Sequence, residues 1–113
     1  MVQRDTQILE HILDYCDDID QYVELSDRSF DVFMADNMRQ HSIAFCIMQI
    51  GELVGKLSTE MRSATVGEIN WQAIKGMRNI VVHDYGNVDL SVVYDTLTKD
   101  LPELKEVLER IRT

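Results

Sequence analysis

At 113 residues, 45% of them hydrophobic, the chain is long enough to bury one core without staples, and its two cysteines, far apart in sequence, exclude both a disulfide framework and a cysteine metal knuckle. The formal net charge of -9 excludes a surface that coats nucleic acid indiscriminately, because affinity for phosphates comes chiefly from Lys and Arg. The charge is uneven: residues 1–27 hold one base against eight acids and residues 84–113 four against seven, whereas residues 28–83 hold six bases against five acids, so an anion-binding cleft is expected in the centre.

From Asp5-Thr6 the apolar positions Ile8, Leu9, Ile12, Cys16, Ile19, Tyr22 and Val23 recur at three- and four-residue spacing, which predicts a long helix with an acidic outer face. The same acidic start contains no unbroken apolar run and reads as neither a signal peptide nor a membrane anchor. Cys16 and Cys46 are therefore expected as buried thiols of a protein in a reducing cytoplasm. His11 and His41 read as ordinary packed or surface histidines. Ser29 or Asp27 is placed to cap a short helix through Ala35, and a turn follows at Asp36-Asn37.

The next helix is expected from Met38 to about Met61, with a wide apolar face made by Ile43, Cys46, Ile47, Ile50, Leu53, Val54 and Leu57. Glu52 interrupts that face. A carboxylate there is costly unless it reaches solvent or meets a cation, and Arg78 is the candidate partner. Gly51 and Gly55, four apart, either let another helix approach closely or are merely tolerated. Residues 63–69 read as a loop, and Asn70 as the cap of a helix on which Trp71, Ile74, Met77 and Val81 share one side. A last segment starts with Asp89 as N-cap, runs through Leu90, Val93, Tyr94 and Leu97, and is expected to kink or restart at Pro102, with Asp100 capping the remainder. The pattern predicts a single all-α domain over residues 1–113, an up-and-down bundle of four to five helices.

The densest chemistry lies in residues 77–86, where Arg78, Asn79, His83 and Tyr85 surround Ile80, Val81 and Val82 ahead of Gly86. On a regular helix Arg78 and Tyr85 return to nearly one face about 10 Å apart along the axis, whereas His83 sits roughly 140° round from Arg78. One straight helix therefore does not aim Arg78 and His83 at a single atom; a loosened last turn, a neighbouring helix or a second copy must supply the convergence. Lys75, Lys56, Arg39 and Arg62 are the basic residues that could stand near Arg78. An imidazole can move a proton near neutral pH, and a guanidinium donates to two phosphate oxygens at once without losing its charge. The bland alternative is a bundle in which Arg78 and His83 merely satisfy carbonyls at a helix end.

Arg78-Asn79, three apolar residues, then His83-Asp84-Tyr85 resembles the Arg-x4-His-x-Tyr motif of HepT-like toxins in the HEPN superfamily of helical ribonucleases. Ile50-Gly51-Glu52, Asn70-Trp71 and Leu101-Pro102-Glu103-Leu104 resemble the flanks of that family, and the likeness is strongest over residues 43–104. The resemblance implies a HEPN-like bundle that pairs as a homodimer. It implies a metal-independent endoribonuclease toxin of a type VII-like toxin–antitoxin pair, with no cofactor and no metal. Arg78 and His83 would be catalytic, Asn79 and Glu52 supporting, and Tyr85 the target of adenylylation by an MntA-type nucleotidyltransferase antitoxin. The alternative within the family is a catalytically idle HEPN module that serves as the binding subunit of its nucleotidyltransferase.

Overall fold

In the computed structural model residues 3–112 are described except Val88, and Asp84 and Tyr85 through their backbone alone. The path is helical almost throughout, with no strand among the described residues. Helix α1 spans Gln3–Leu25, α2 Phe30–Met34, α3 Asn37–Lys56, α4 Thr59–Thr65 and α5 Trp71–Asp84. A 3-10 turn at Tyr85–Asn87 follows, then α6 at Leu90–Asp95, a π turn at Thr96–Asp100 and α7 at Leu101–Arg112.

The stripe on α1 becomes the middle of the core: Leu9, Ile12, Cys16 and Ile19 are all essentially inaccessible, and α1 packs on α3 on one side and α7 on the other. α5 packs chiefly on α3. The four longer helices thus follow the order α5, α3, α1, α7. The short α2 brings Phe33 into an aromatic cluster with Tyr22 and Tyr94, while Phe30 meets Tyr94 edge-on at 5.4 Å. Lys105 on α7 joins the α1 seam by ion pairs to Asp17 at 2.8 Å and Asp20 at 2.9 Å, which raise its pKa. Cys16 is sealed in the core, where burial first and the Asp20 and Asp17 carboxylates second push its thiol up to about 12; Cys46 is half-buried and its thiol is raised as well. Both are poor nucleophiles.

Three expected caps form, and Asp36, expected only as part of a turn, supplies a fourth. Ser29 accepts from the Val32 N–H at the start of α2, Asp36 from the Arg39 N–H, Asn70 from the Ala73 N–H and Asp89 from the Ser91 N–H. Two boundaries differ from the sequence expectation. The central helix does not reach Met61: it ends at Lys56, Leu57 is extended, and Ser58 caps the separate helix α4 within the expected loop. The cause is tertiary. Asp5, buried in the first turn of α1, accepts from both the Ser58 N–H at 3.0 Å and the Ser58 hydroxyl at 2.6 Å, which fixes Ser58 outside the helix. Nor does the chain break at Pro102. Residues 95–101 stay right-handed helical: the Leu101 N–H donates five residues back to the Thr96 carbonyl, and α7 starts directly from this wider π turn.

The Ser58 hydroxyl holds the Asp5 carboxyl below the usual carboxylate range, against the opposing push of burial. A depressed folded-state value gives stability that is fully present above the unfolded value of about 3.8 and is lost as pH falls through the folded one. Asp5→Ala should therefore cost about 2 kcal/mol at neutral pH through the lost charge-assisted bonds. In thermal melts across pH the gap between wild type and variant should stay constant above pH 5 and close well below pH 4; a gap that ignores pH would mean that Asp5 acts through packing alone.

Candidate active site on α3 and α5

Helix α5 is anchored at its start, where the Trp71 indole N–H donates to Thr65 Oγ1 at 2.8 Å, both residues being buried. From there Trp71 and Val81 are buried and Ile74, Met77, Arg78 and Val82 half-buried, so the covered face of α5 carries one charged residue. That residue is Arg78, and its stem lies directly on Gly51 of α3. A methyl group built on Gly51 would stand 2.3 Å from Arg78 Cβ and 2.4 Å from its Cγ, so the two backbones come together as no other residue at position 51 would allow. Gly55, one turn further, faces open space. The two glycines that sequence pattern treats alike have different reasons to be there.

The guanidinium emerges at the rim of this contact. One terminal nitrogen, Nη2, is ion-paired with Glu52 Oε1, and Nη1 donates to Asn79 Oδ1 at 2.9 Å. The Arg78 side chain keeps 26% of its surface and Glu52 49%, so the carboxylate in the apolar stripe does meet its cation, at the water's edge and not in the core. Nε of Arg78 is buried with no hydrogen-bond partner among the described residues. Asn79 and His83 are both exposed. At 100° per residue they stand one turn apart and 40° apart in azimuth, with Asn79 between Arg78 and His83. The structure thus links Arg78 to Asn79 directly and sets His83 one turn above Asn79. It does not aim Arg78 and His83 at one point within a single chain, because α5 stays regular through Asp84.

The helix then tightens into the 3-10 turn, and Gly86 has no positive φ, so the stop is a narrowed turn and not a left-handed glycine cap. The Tyr85 side chain, singled out in the sequence as the modification target, lies outside the described residues.

Of the basic neighbours considered for Arg78, Arg39 belongs elsewhere. Its guanidinium sits 5.6 Å over the Tyr22 ring, and it is twelve residues back along α3 from Gly51, about 18 Å along the axis. Lys56 and Lys75 are exposed, five residues after Gly51 and three before Arg78, at the end of the contact where α4 begins. Arg62, half-buried on α4, has a buried Nε with no partner among the described residues. Beyond Arg78 in the other direction is a feature that periodicity does not reveal. Phe45, Met48, Ala44 and His41 of α3 and Val81 and Val82 of α5 line an open apolar hollow of about 350 Å³, with Phe45 52% exposed. Counted within a wide apolar stripe, Phe45 looks like core; its azimuth, roughly opposite Ile43, is the signal that sets it on the surface.

The chain matches the family described as "Ribonuclease HepT-like" over residues 12–111. It is 31% identical over 103 residues to the "Putative RNase" of Caldanaerobacter subterraneus subsp. tengcongensis, an alignment covering 91% of this chain and 89% of the relative. A protein of the same description from Methanocaldococcus jannaschii is 30% identical over 112 residues, covering 98% of this chain and 94% of its own. The "Probable ribonuclease HepT" of Thermococcus cleftensis is 29% identical over 104 residues, covering 88% and 94%. No solved structure matches the chain.

Proposed function

Because the chain belongs to the Ribonuclease HepT-like family, we propose that it is an endoribonuclease whose cleft is completed by a second copy of itself, with Arg78 and His83 as its catalytic residues. The observation that carries this reading is the way α3 and α5 present the motif. Gly51, Glu52 and Asn79 hold the Arg78 guanidinium at the surface, and an exposed His83 stands one turn beyond Asn79. A guanidinium fixed at two points is pre-organised for charge that develops on phosphate oxygens.

In the reaction one imidazole takes the proton of the RNA 2′-hydroxyl, and the freed oxygen attacks the adjacent phosphorus. As the bond from 2′-oxygen to phosphorus forms, that from phosphorus to the 5′-oxygen breaks, and a second imidazole, protonated beforehand, gives its proton to the departing oxygen. Arg78 stabilises the phosphorane between. The products are a 2′,3′-cyclic phosphate and a 5′-hydroxyl. Two imidazoles are needed for this exchange, and each chain brings one at the motif. The apolar hollow around Phe45, beside Val81 and Val82 on the motif helix, suits a second copy, and an isologous pair would set the two motifs across one seam. Phe45→Glu should accordingly convert dimer to monomer in sedimentation equilibrium and abolish cleavage, with little change in monomer stability because the ring is half in water. A monomeric wild type would end the two-copy reading.

The toxin and antitoxin roles rest on the resemblance in the motif. Tyr85, two residues beyond His83, would accept AMP from a nucleotidyltransferase partner, and the added anion would oppose incoming RNA phosphate at Arg78. One observation favours the catalytically idle alternative: Glu52 already occupies Nη2 of Arg78, so phosphate must displace or share that partner. The purified protein incubated with labelled single-stranded RNA in EDTA decides between the two. Fragments ending in 2′,3′-cyclic phosphate support the nuclease; intact RNA with retained binding leaves the idle module.

A further inference from the structure

The ring of helices is open along one seam. α3 meets α5, α1 meets α3 and α7 meets α1, but between α5 and the α6–α7 arm there is a groove of about 280 Å³. Its floor is apolar, formed by Ile74 and Met77 of α5, Leu104 of α7 and Val92 of α6, the last 46% exposed at the lip. Ile80, 47% exposed and seven residues on from Ala73 in the same wall, continues that flank of α5. The rim is uniformly acidic. Glu68, Asp95, Asp100 and Glu103 line the groove, and among the described residues no Lys, Arg or His does. Arg110 and Lys99 pair with Glu68 and Asp95 from outside it.

We infer that this groove docks a basic amphipathic helix of a partner protein, which inserts apolar side chains over Met77 and sets Lys or Arg against the carboxylate rim. Volume and charge both point there. At 280 Å³ the space is at or below the small end of small-molecule pockets, about 300–1,000 Å³, yet it suits the side chains from one face of a helix. Asp100 and Glu103, which unlike Glu68 and Asp95 have no ion-pair partner among the described residues, repel RNA phosphate and select a cationic partner. The π turn at Thr96–Asp100 forms part of the wall, and the wider backbone there sets Asp95 and Asp100 on the rim. Met77, with its unbranched thioether, adapts to what is inserted. The groove's lining includes neither Arg78 nor Glu52, so its occupant leaves that pair uncovered. This inference stands whether or not the chain cleaves RNA.

The test uses the full chain with methyl-labelled methionines and a fluorescent 14-residue helical peptide carrying Leu at positions i, i+3, i+4 and i+7 and Lys elsewhere. The expected result is saturable binding in 150 mM salt that shifts the Met77 methyl resonance and leaves Met38 and Met48 unmoved. Asp100→Lys/Glu103→Lys should weaken binding tenfold or more. Asp14→Lys/Asp31→Lys, the same change of net charge on exposed positions elsewhere, should weaken it less than threefold. Absence of binding, equal weakening by the two double variants, or shifts at Met48 or Met38 in place of Met77 overturns the proposal. So does equal binding of the peptide with Glu in place of Lys, or a Met77 shift on adding a single-stranded RNA.

Discussion

His83→Ala is expected to slow RNA cleavage by about 10²- to 10⁴-fold, the usual worth of a positioned proton-transfer group, while the melting temperature stays within a degree or two. His83 is exposed on the outer side of α5, so its removal uncovers no core and strands no buried partner. Arg78 requires a gentler substitution. Arg78→Ala would strip the stem from Gly51 and leave Glu52 without its cation, so lost activity could not be told from a loosened helix contact. Arg78→Lys keeps the charge and most of the stem but removes the planar fork, and should cost about 10²-fold in the rate of cleavage at saturating RNA with binding little changed. Single-turnover cleavage of a labelled RNA, read beside thermal melts of the same preparations, measures both. Wild-type rates from His83→Ala in a folded protein would end the catalytic reading, whatever the family.

Local chemistry was legible in the sequence wherever its partner was local. Ser29, Asn70 and Asp89 cap because a side-chain oxygen two or three residues ahead of an unpaired N–H needs nothing else. Ser58 belongs to the same chemical class, and its reason to leave the central helix is Asp5, 53 residues away, which no window along the chain contains. Pro102 shows the converse: a sound local rule predicts a break, and the chain stays helical through the preceding π turn into α7.

At the candidate site, a carboxylate in an apolar stripe needs a cation, which is enough to nominate Arg78 for Glu52 from sequence. Helical arithmetic also anticipates that Arg78 and His83 diverge on one chain. The groove between α5 and the α6–α7 arm leaves no such trace. Ile74, Met77 and Leu104 keep the same helical spacing whether a seam closes over them or not, and closure depends on how the neighbouring helices are set.

Gly51→Ala and Gly55→Ala are expected to move stability in opposite directions, although the two sites are one turn apart on the same helix. In a helix interior the change from Gly to Ala gains about 0.5–1 kcal/mol through lower backbone entropy in the unfolded chain. Gly55, with nothing near its missing Cβ, should show that gain in full, a rise of about 4 °C in melting temperature for a chain this size. At Gly51 the new methyl would overlap Arg78 Cβ and Cγ, atoms at the root of the side chain that cannot swing aside, so α5 itself must retreat from α3. Overpacking of this kind costs about 1–3 kcal/mol and outweighs the propensity gain; with the two further γ-methyls of Gly51→Val the loss should approach the top of that range. Retreat of α5 also draws Arg78 from Glu52, so cleavage should fall with stability at position 51 and hold at position 55. Differential scanning calorimetry of the two alanine variants checks the sign, and a stabilised Gly51→Ala would mean that the contact through which α3 presents Arg78 is looser than its geometry implies.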